Sequence, residues 1–179
     1  MKIVILDRDG VINQDNVNHI KNPNEWIPIP QSLEAITLLN QHGFYVVVAT
    51  NQSGIGRGLF DFDNLNLIHG KMIKMLGQLG GSVDAIFYCP HTDDDKCNCR
   101  KPDIGMYEEI SRRFSISLKK IPAVGDSIRD LQAYKKIGAQ PILVKTGNGE
   151  ETLLQKKYPK NTWIFNDLFE AAEAIIEKY

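Results

Sequence analysis

Residues 3–11 read Ile-Val-Ile-Leu-Asp-Arg-Asp-Gly-Val, an apolar run that leads directly into two carboxylates, Asp7 and Asp9. Such a run is typical of a buried strand. Residues 121–126, Ile-Pro-Ala-Val-Gly-Asp, repeat the arrangement and end at Asp126. Open α/β sheets bind their ligands beyond the carboxyl ends of the strands, and carboxylates gathered there suit a hard cation such as Mg²⁺. We therefore expect an acidic site at one edge of a sheet.

Short β-branched runs alternate with longer helical patterns along the rest of the chain. Strands are predicted near residues 3–7, 44–49, 83–88, 121–125, 141–144 and 162–165, and helices near 32–42, 63–79, 104–114, 127–137 and 166–178. This alternation predicts a mostly parallel sheet with helices on both faces. Two long irregular stretches remain, 13–30 and 89–103. Loops of this length in a compact domain usually have a function.

The composition limits the classes of function. A chain of 179 residues with 42% hydrophobic content is long enough for one domain, residues 1–179, with a sizeable core. The net charge of −1 argues against a broad basic surface for nucleic acid or for an anionic membrane. No apolar stretch approaches the ~20 residues that span a bilayer. We expect a monomeric cytoplasmic protein that acts on a small molecule.

The paired carboxylates suggest covalent catalysis. A carboxylate is a competent nucleophile when a metal and fixed cations neutralise the group that it attacks. For a phosphate monoester, Asp7 would attack phosphorus and form an aspartyl-phosphate that water later hydrolyses. Asp9 is near enough to protonate the leaving group and then to act as base on the water. Gly10 supplies the backbone freedom that lets both carboxylates face one crevice.

Further residues suited to phosphoryl transfer follow the later predicted strands. Thr50, Asn51 and Gln52 offer donors for phosphoryl oxygens, and Arg100 and Lys101 offer fixed positive charge. Phosphoryl transfer requires such a preorganised electrostatic environment. Three more residues complete the predicted site: Asp126 as a metal ligand, with Ser127 and Asp130 as supporting residues.

These four segments resemble the four motifs of the haloacid dehalogenase superfamily of phosphotransferases. They are Asp7-Arg-Asp-Gly-Val, Thr50-Asn, Lys101-Pro and Gly125-Asp-Ser-Ile-Arg-Asp130. An acid two positions after the nucleophile, here Asp9, is a feature in which the chain resembles the phosphatase branch. The resemblance implies a Rossmann-like three-layer sandwich, with Mg²⁺ held by Asp7, Asp126 and the backbone carbonyl of Asp9. The segment lengths leave no room for a large cap domain.

All three cysteines of the chain lie in one short loop. Cys89, His91, Cys97 and Cys99 form a Cys₃His set suited to a closed, structural zinc site. The alternative is a group of unligated loop thiols, which would be exposed to oxidation. Because Cys99 directly precedes Arg100 and Lys101, zinc in this loop would hold the phosphate-binding cations in place.

Residues 2–149 resemble one subgroup of the superfamily. It contains the D-glycero-D-manno-heptose-1,7-bisphosphate 7-phosphatases and the histidinol-phosphate phosphatases, which share the zinc loop. The matching residues include Asp15 and the segment from Ser53 to Gly58. Arg57, a forked donor for a second phosphate or for sugar hydroxyls, resembles the heptose enzymes, whereas the histidinol-phosphate enzymes typically lack it.

The leading hypothesis is therefore an Mg²⁺-dependent removal of the C7 phosphate from a heptose bisphosphate, toward nucleotide-activated heptose for lipopolysaccharide or another surface glycan. Histidinol-phosphate phosphatase is the alternative with the same chemistry. A polynucleotide 3′-phosphatase would need a basic groove, and the charge balance of this chain gives no sign of one. A non-catalytic zinc-stabilised module that binds sugar phosphate would need neither a nucleophile nor an acid. The sequence leaves the preferred anomer open.

Overall fold

The computed structural model describes all 179 residues, and a six-stranded parallel sheet forms its centre. The spatial order of the strands is β3-β2-β1-β4-β5-β6. Their bounds are Lys2–Leu6 (β1), Phe44–Asn51 (β2), Ala85–Cys89 (β3), Pro122–Gly125 (β4), Gln140–Val144 (β5) and Trp163–Phe165 (β6). All six predicted strands are present, and the predicted parallel α/β architecture is confirmed.

Seven helices cover the two faces of the sheet. They are Ser32–Gln41 (α1), Ser53–Gly56 (α2), Phe62–Gln78 (α3), Gly105–Phe114 (α4), Ile128–Lys136 (α5), Gly149–Gln155 (α6) and Leu168–Lys178 (α7). The sequence analysis predicted neither α2 nor α6, nor the 3₁₀ turn Pro23–Glu25. α7 begins two residues later than predicted, because the Asp167 side chain accepts a hydrogen bond from the Glu170 amide and caps the helix. None of the helices combines the length and apolar character that a membrane span requires.

Alternating strand residues divide the core into two layers. Val4 and Leu6 of β1 pack with α1, α3 and α7 on one face, whereas Ile3 and Ile5 pack with α4 and α5 on the other. Each face of the sheet is therefore covered by helices, as expected for strands that are apolar on both sides. The result is the three-layer sandwich that the resemblance implied, without a large cap domain.

The order of the strands changes direction between β1 and β4. The chain runs from β1 outward through β2 and β3, and β4 then pairs with the other side of β1. Crevices at such switch points are where open α/β sheets bind ligands. The amide of Asp7 donates to the Val124 carbonyl at 2.9 Å across this switch point. The residues that follow β1 and β4 therefore face each other at the carboxyl edge.

Candidate active site

A cleft of about 500 Å³ opens at the carboxyl edge of the sheet, above β1 and β4. Only three of its 22 lining residues are hydrophobic, so it suits a polar, charged ligand rather than an apolar one. Most of the residues predicted from sequence line it: Asp7, Asp9, Asp15, Thr50, Asn51, Gln52, Ser53, Arg100, Lys101, Asp126, Ser127 and Asp130. The fold thus brings together segments that lie more than 100 residues apart in the chain.

Lys101 occupies the centre of the charged cluster. Its side chain is almost fully buried, with Nζ 2.9 Å from Asp7 Oδ1 and 2.6 Å from Asp130 Oδ1. Nζ also donates to the Ala49 carbonyl at 2.9 Å. Burial alone would lower the pKa of Lys101, but the two carboxylates outweigh it and raise the pKa above its ordinary value. Lys101 is therefore a permanent cation beside the Asp7 carboxylate.

The carboxyl group of Asp7 is oriented by its neighbours. Oδ1 accepts from the Arg8 amide at 2.7 Å and also faces Lys101. Both contacts involve Oδ1, so Oδ2 is the oxygen available to a ligand. Burial, followed by the negative charge of Asp130, raises the pKa of Asp7 well above its ordinary value. A cation in the cleft would reverse this effect and favour the ionised nucleophile.

Three buried carboxylates meet at this point. Oxygens of Asp7, Asp126 and Asp130 all lie within 4.8 Å of one another. Burial and Asp130 raise the pKa of Asp126 to about 7, even though hydrogen bonds from Asn148 lower it. Crowded carboxylate oxygens, with raised pKa values at Asp7 and Asp126, fit a hard divalent cation such as Mg²⁺. Asp130 is largely committed to Lys101 and to Ser127, which leaves Asp7 and Asp126 as the carboxylates most open to a metal.

Asp9 lies beside the nucleophile but faces a different set of partners. Its carboxylate accepts two hydrogen bonds from Arg8, at 3.0 Å each. Asn13 and Gln52 donate to it at 2.9 and 2.8 Å. Burial would raise the pKa of Asp9, but the Arg8 charge and these bonds lower it below its ordinary value. In this arrangement Asp9 is ionised, which suits a base more directly than an acid.

Two predicted phosphate-binding side chains are engaged within the protein. Asn51 pairs with the backbone of Lys101 in both directions, at 3.1 and 3.0 Å, and so fixes the loop that carries the cation. Gln52 donates to Asp9 and also to the Thr50 hydroxyl at 2.9 Å. Asn51 and Gln52 therefore position Lys101 and Asp9, and the Thr50 hydroxyl accepts a hydrogen bond from Gln52.

Ser127 and Asp130 form the start of α5. The Ser127 hydroxyl and amide both donate to Asp130 Oδ2, at 2.5 and 3.1 Å. The reciprocal bond from the Asp130 amide completes a capping box. A local helix-start motif therefore fixes the carboxylate that anchors Lys101.

The predicted recognition cations occupy different positions. Arg100 is mostly buried and lines the cleft, with Nε donating to Asp93 at 2.7 Å and Nη1 to the His91 carbonyl at 3.3 Å. Arg57 ends α2 on the exposed surface and does not line the cleft. Its charge, with those of Arg100 and Arg129, nevertheless contributes to a lowered pKa of Asp93. Arg100 and Arg129 therefore line the cleft, whereas Arg57 lies outside it.

The cysteine cluster assembles as the spacing predicted. The sulfur atoms of Cys89, Cys97 and Cys99 lie 3.1–3.6 Å apart, and His91 Nδ1 lies 3.3 Å from Cys99 Sγ and 3.6 Å from Cys89 Sγ. Ligands around a tetrahedral zinc with bonds near 2.3 Å are separated by about 3.7 Å. All three thiols are free, so no disulfide competes for them. The donor set and its spacing fit a zinc ion.

Four residues that the sequence analysis did not single out complete the site. Arg8, Asn13 and His69 form the layer behind Asp9: the first two donate to Asp9, and Arg8 Nη1 lies 3.1 Å from His69 Nε2. Asn148, after β5, contacts both Asp126 and Asp15. Of these four residues, only Arg8 was marked in the sequence, by its position between two acidic residues. The roles of the other three depend on tertiary contacts.

The comparisons with known proteins converge on one family. Residues 98–171 match the HAD-hydrolase-like family. The D-glycero-beta-D-manno-heptose-1,7-bisphosphate 7-phosphatase of Bordetella bronchiseptica is 54% identical over 99% of both chains, and that of Pseudomonas aeruginosa is 49% identical over 98% of both. The crystal structure of the Bordetella enzyme with magnesium and phosphate covers 100% of both chains with a TM-score of 0.98.

Proposed function

The chain belongs to the heptose-1,7-bisphosphate 7-phosphatases, a family of haloacid dehalogenase-like hydrolases, and from this premise we propose that it hydrolyses the C7 phosphate of D-glycero-β-D-manno-heptose 1,7-bisphosphate. The observation that carries the proposal is the Asp7–Lys101–Asp130 cluster at the switch point of the sheet. It combines a carboxylate suited to act as a nucleophile, a fixed cation and carboxylates suited to bind a metal in one polar cleft, which supports the proposal. The β anomer is preferred because it is the one that relatives of 48–54% identity are named for.

In the proposed reaction, Asp7 attacks the phosphorus of the C7 phosphate and forms an aspartyl-phosphate. The bond between phosphorus and the oxygen on C7 breaks, and that oxygen takes a proton from Asp9. Water, deprotonated by Asp9, then attacks the phosphorus, which releases inorganic phosphate and restores Asp7. Substrate brings negative charge next to Asp9 and so raises its pKa, which provides the protonated form needed in the first step.

Mg²⁺ bound by Asp7, Asp126 and the Asp9 carbonyl would neutralise charge on the phosphoryl oxygens. Lys101 holds Asp7 Oδ1 and leaves Oδ2 to face the substrate. The Thr50 hydroxyl, which accepts from Gln52, keeps its own proton for a phosphoryl oxygen. These contacts provide preorganised stabilisation of the transferring group.

The second phosphate of the substrate requires a cation outside the catalytic centre. We assign this role to Arg100, which lines the cleft and keeps Nη2 free of protein partners, with Arg57 at the adjacent rim. A planar guanidinium matches phosphate oxygens in a bidentate manner. Asp15 and Ser53, which also line the cleft, are assigned to the sugar hydroxyls.

We further infer that Cys89, His91, Cys97 and Cys99 hold a structural zinc ion. Supporting this, the His91 carbonyl is one of the two groups that hold Arg100, so the metal loop and the recognition cation are joined directly. Thiolate ligands persist in a reducing compartment, and we place the enzyme, as a monomer, in the cytoplasm.

Phosphate release with Mg²⁺ from a matched panel tests the function. The panel contains both anomers of the heptose bisphosphate, histidinol phosphate and a 3′-phosphorylated oligonucleotide. We expect the highest kcat/KM for the β anomer, the one that relatives of 48–54% identity are named for. Both anomers should exceed histidinol phosphate, because Arg100 in the cleft suits a second phosphate. A preference for histidinol phosphate would refute the substrate assignment but leave the chemistry intact.

Asp7→Asn tests the chemistry. The variant should release no phosphate, whereas Asp94→Asn, an equal charge change at an exposed position, should retain wild-type turnover. Turnover by pure Asp7→Asn protein would contradict the covalent mechanism. If the wild type showed no turnover and Asp7→Asn bound sugar phosphate as well as the wild type does, the protein would instead be a binding module.

A further inference from the structure

The segment after β5 closes over the catalytic centre, although it belongs to none of the four motifs. Asn148 donates to Asp126 Oδ2 twice, from its amide at 2.8 Å and from Nδ2 at 3.0 Å. The Thr146 hydroxyl donates to the Gly10 carbonyl at 2.6 Å. Between them, Gly147 has a φ of +57°, and a Cβ there would overlap both Asp126 and Gly10. The segment is therefore in close contact with the residues that follow β1 and β4.

The contacts from Asn148 select one oxygen of Asp126. Both donors bind Oδ2, so Oδ1 is the oxygen left for a cation. Asp126 is 2% exposed, and these two bonds from Asn148 are the hydrogen bonds that its carboxylate accepts within the protein. A neutral amide orients the carboxylate without adding a positive charge that would compete with a metal.

The same amide group reaches the loop after β1. Nδ2 of Asn148 also lies 2.9 Å from Asp15 Oδ2. An amide nitrogen carries two hydrogens, and here one can serve Asp126 and the other Asp15. Asp15 is exposed and lines the cleft, whereas Asp126 is buried in its floor. Asn148 thus joins a metal-binding carboxylate to a substrate-binding one.

We propose that Asn148 is a positioning residue that orients Asp126 toward the metal and couples the metal site to the substrate loop of Asp15. This inference rests on the proposed function, because it assigns Asp126 to Mg²⁺ and Asp15 to the sugar. Removal of the side chain leaves the backbone donor in place, so Asp126 should turn more freely without losing all its partners. Asp15, in contrast, loses its only contact across the cleft.

Asn148→Ala should weaken Mg²⁺ binding by about tenfold, in line with other residues that orient metal ligands. KM for the bisphosphate should rise several-fold, while kcat at saturating Mg²⁺ and substrate stays within about threefold of wild type, since the nucleophile and Lys101 are unchanged. Asn161→Ala is the matched control, because this asparagine is exposed and its side chain makes no hydrogen bond.

The first measurement is the rise in melting temperature as Mg²⁺ is added without substrate, which reports metal binding independently of turnover. The second is the KM and kcat of Asn148→Ala, Asp15→Ala and the double variant. Of the two single variants, we expect only Asn148→Ala to need a higher Mg²⁺ concentration for the same rise in melting temperature. We also expect the effects of the two substitutions on KM to be non-additive in the double variant. If Asn148→Ala does not fold, Asn148→Ser is measured in the same way.

Unchanged Mg²⁺ titration and KM in Asn148→Ala would overturn the proposal, as would additive effects in the double variant. A fall in kcat alone, or equal losses in Asn161→Ala, would also overturn it, because a general loss of stability would then explain the result. Absence of bisphosphate turnover in the wild type would refute the proposed function separately, since the Mg²⁺ titration does not depend on that substrate.

Discussion

At the scale of single residues, the site depends on the charge balance around Lys101. Two carboxylates, Asp7 and Asp130, lie within 3 Å of one buried ammonium group. A buried ion pair contributes little net stability, but removal of one partner leaves uncompensated charge in a low dielectric. Lys101 therefore makes an acidic cleft compatible with folding, in addition to the catalytic role proposed for it.

Lys101→Met should abolish turnover and lower the free energy of unfolding by about 3 kcal/mol at pH 7.5. Burial and Asp130 already raise the pKa of Asp7, so the folded state of the variant takes up protons more readily than the unfolded state. The loss of stability relative to the wild type should therefore become smaller as the pH is lowered toward 5. Urea unfolding at both pH values is the measurement, with the exposed Lys136→Met as control. Equal destabilisation at both pH values would contradict this account.

His69 provides a pH dependence of the opposite sign. Burial and the nearby Arg8 lower the pKa of His69 to about 4, whereas an unfolded histidine titrates near 6.5. Between these values the unfolded chain binds a proton that the folded chain does not. Stability should therefore fall as the pH drops from 6.5 to 4, by a total on the order of 3 kcal/mol.

His69→Gln should flatten this pH dependence, since the Gln oxygen can accept the Arg8 bond without titrating. The measurement is the free energy of unfolding from pH 7 to pH 4.5 for the wild type, His69→Gln and the exposed His42→Gln. Parallel curves for all three proteins would show that His69 does not contribute to the acid sensitivity.

The residues that line the cleft were predictable from sequence where a local pattern marked them. Asp7 and Asp126 directly follow apolar strands, and strand ends of a parallel sheet share one edge. Asn148 lies in a short loop with no recognisable pattern, and its contact with Asp15 spans 133 residues. His69 is a helix residue whose partner, Arg8, is 61 positions away. Such roles depend on the packing of distant segments, which periodicity does not specify.

At the scale of elements, the loop from Cys89 to Lys101 connects the end of β3 to the catalytic centre. Its cysteine and histidine atoms converge within 4.8 Å, and the next residues, Arg100 and Lys101, line the cleft. The loop contains no helix or strand that would fix its path. The contacts of Arg100 with Asp93 and the His91 carbonyl and the Asn51–Lys101 hydrogen bonds hold the two cations, and a metal bound by the cysteines and His91 would fix the rest of the loop.

Cys97→Ser should therefore reduce zinc content and lower kcat/KM at least tenfold, through disorder of the loop. Elemental analysis, limited proteolysis between residues 89 and 103 and bisphosphate kinetics would be compared in one preparation. Asn98→Ser, an exposed neighbour that carries no thiol, should match the wild type in all three. Full activity in protein shown to contain no zinc would exclude a role for the metal.

Long elements were predicted more accurately than short ones. Every predicted strand and helix is present, because their apolar patterns extend over enough residues to reveal a period. α2 has four residues, three of them glycine or serine, and α6 has seven and begins at Gly149. Neither segment is long enough to show a helical period, and α2 is also poor in helix-forming residues. Both lie at the carboxyl edge, so the errors concentrate around the site.

At the scale of the whole molecule, the cleft lies over the least extensive pairing of the central sheet. β1 pairs with β4 through two residue pairs, Ile5 with Ala123 and Leu6 with Val124, whereas it pairs with β2 through five. Asp7 follows one of these strands and Asp126 the other. A ligand that binds both carboxylates would therefore connect the two halves of the sheet.

Mg²⁺ and vanadate, a phosphate mimic, should consequently stabilise the whole fold when added together. A ligand at 100 times its Kd adds about 2.7 kcal/mol, which corresponds to a rise in Tm of roughly 5–10 °C for a chain of this size. Vanadate with a chelator should give little of this rise, because the carboxylates Asp7 and Asp126 would repel the anion without the metal. Asp7→Asn should also respond weakly, since it lacks the nucleophile that vanadate engages. Calorimetric scans of both proteins without ligand, with Mg²⁺ and vanadate, and with vanadate and a chelator measure the effect. An equal rise in Asp7→Asn would show that the ligands bind elsewhere.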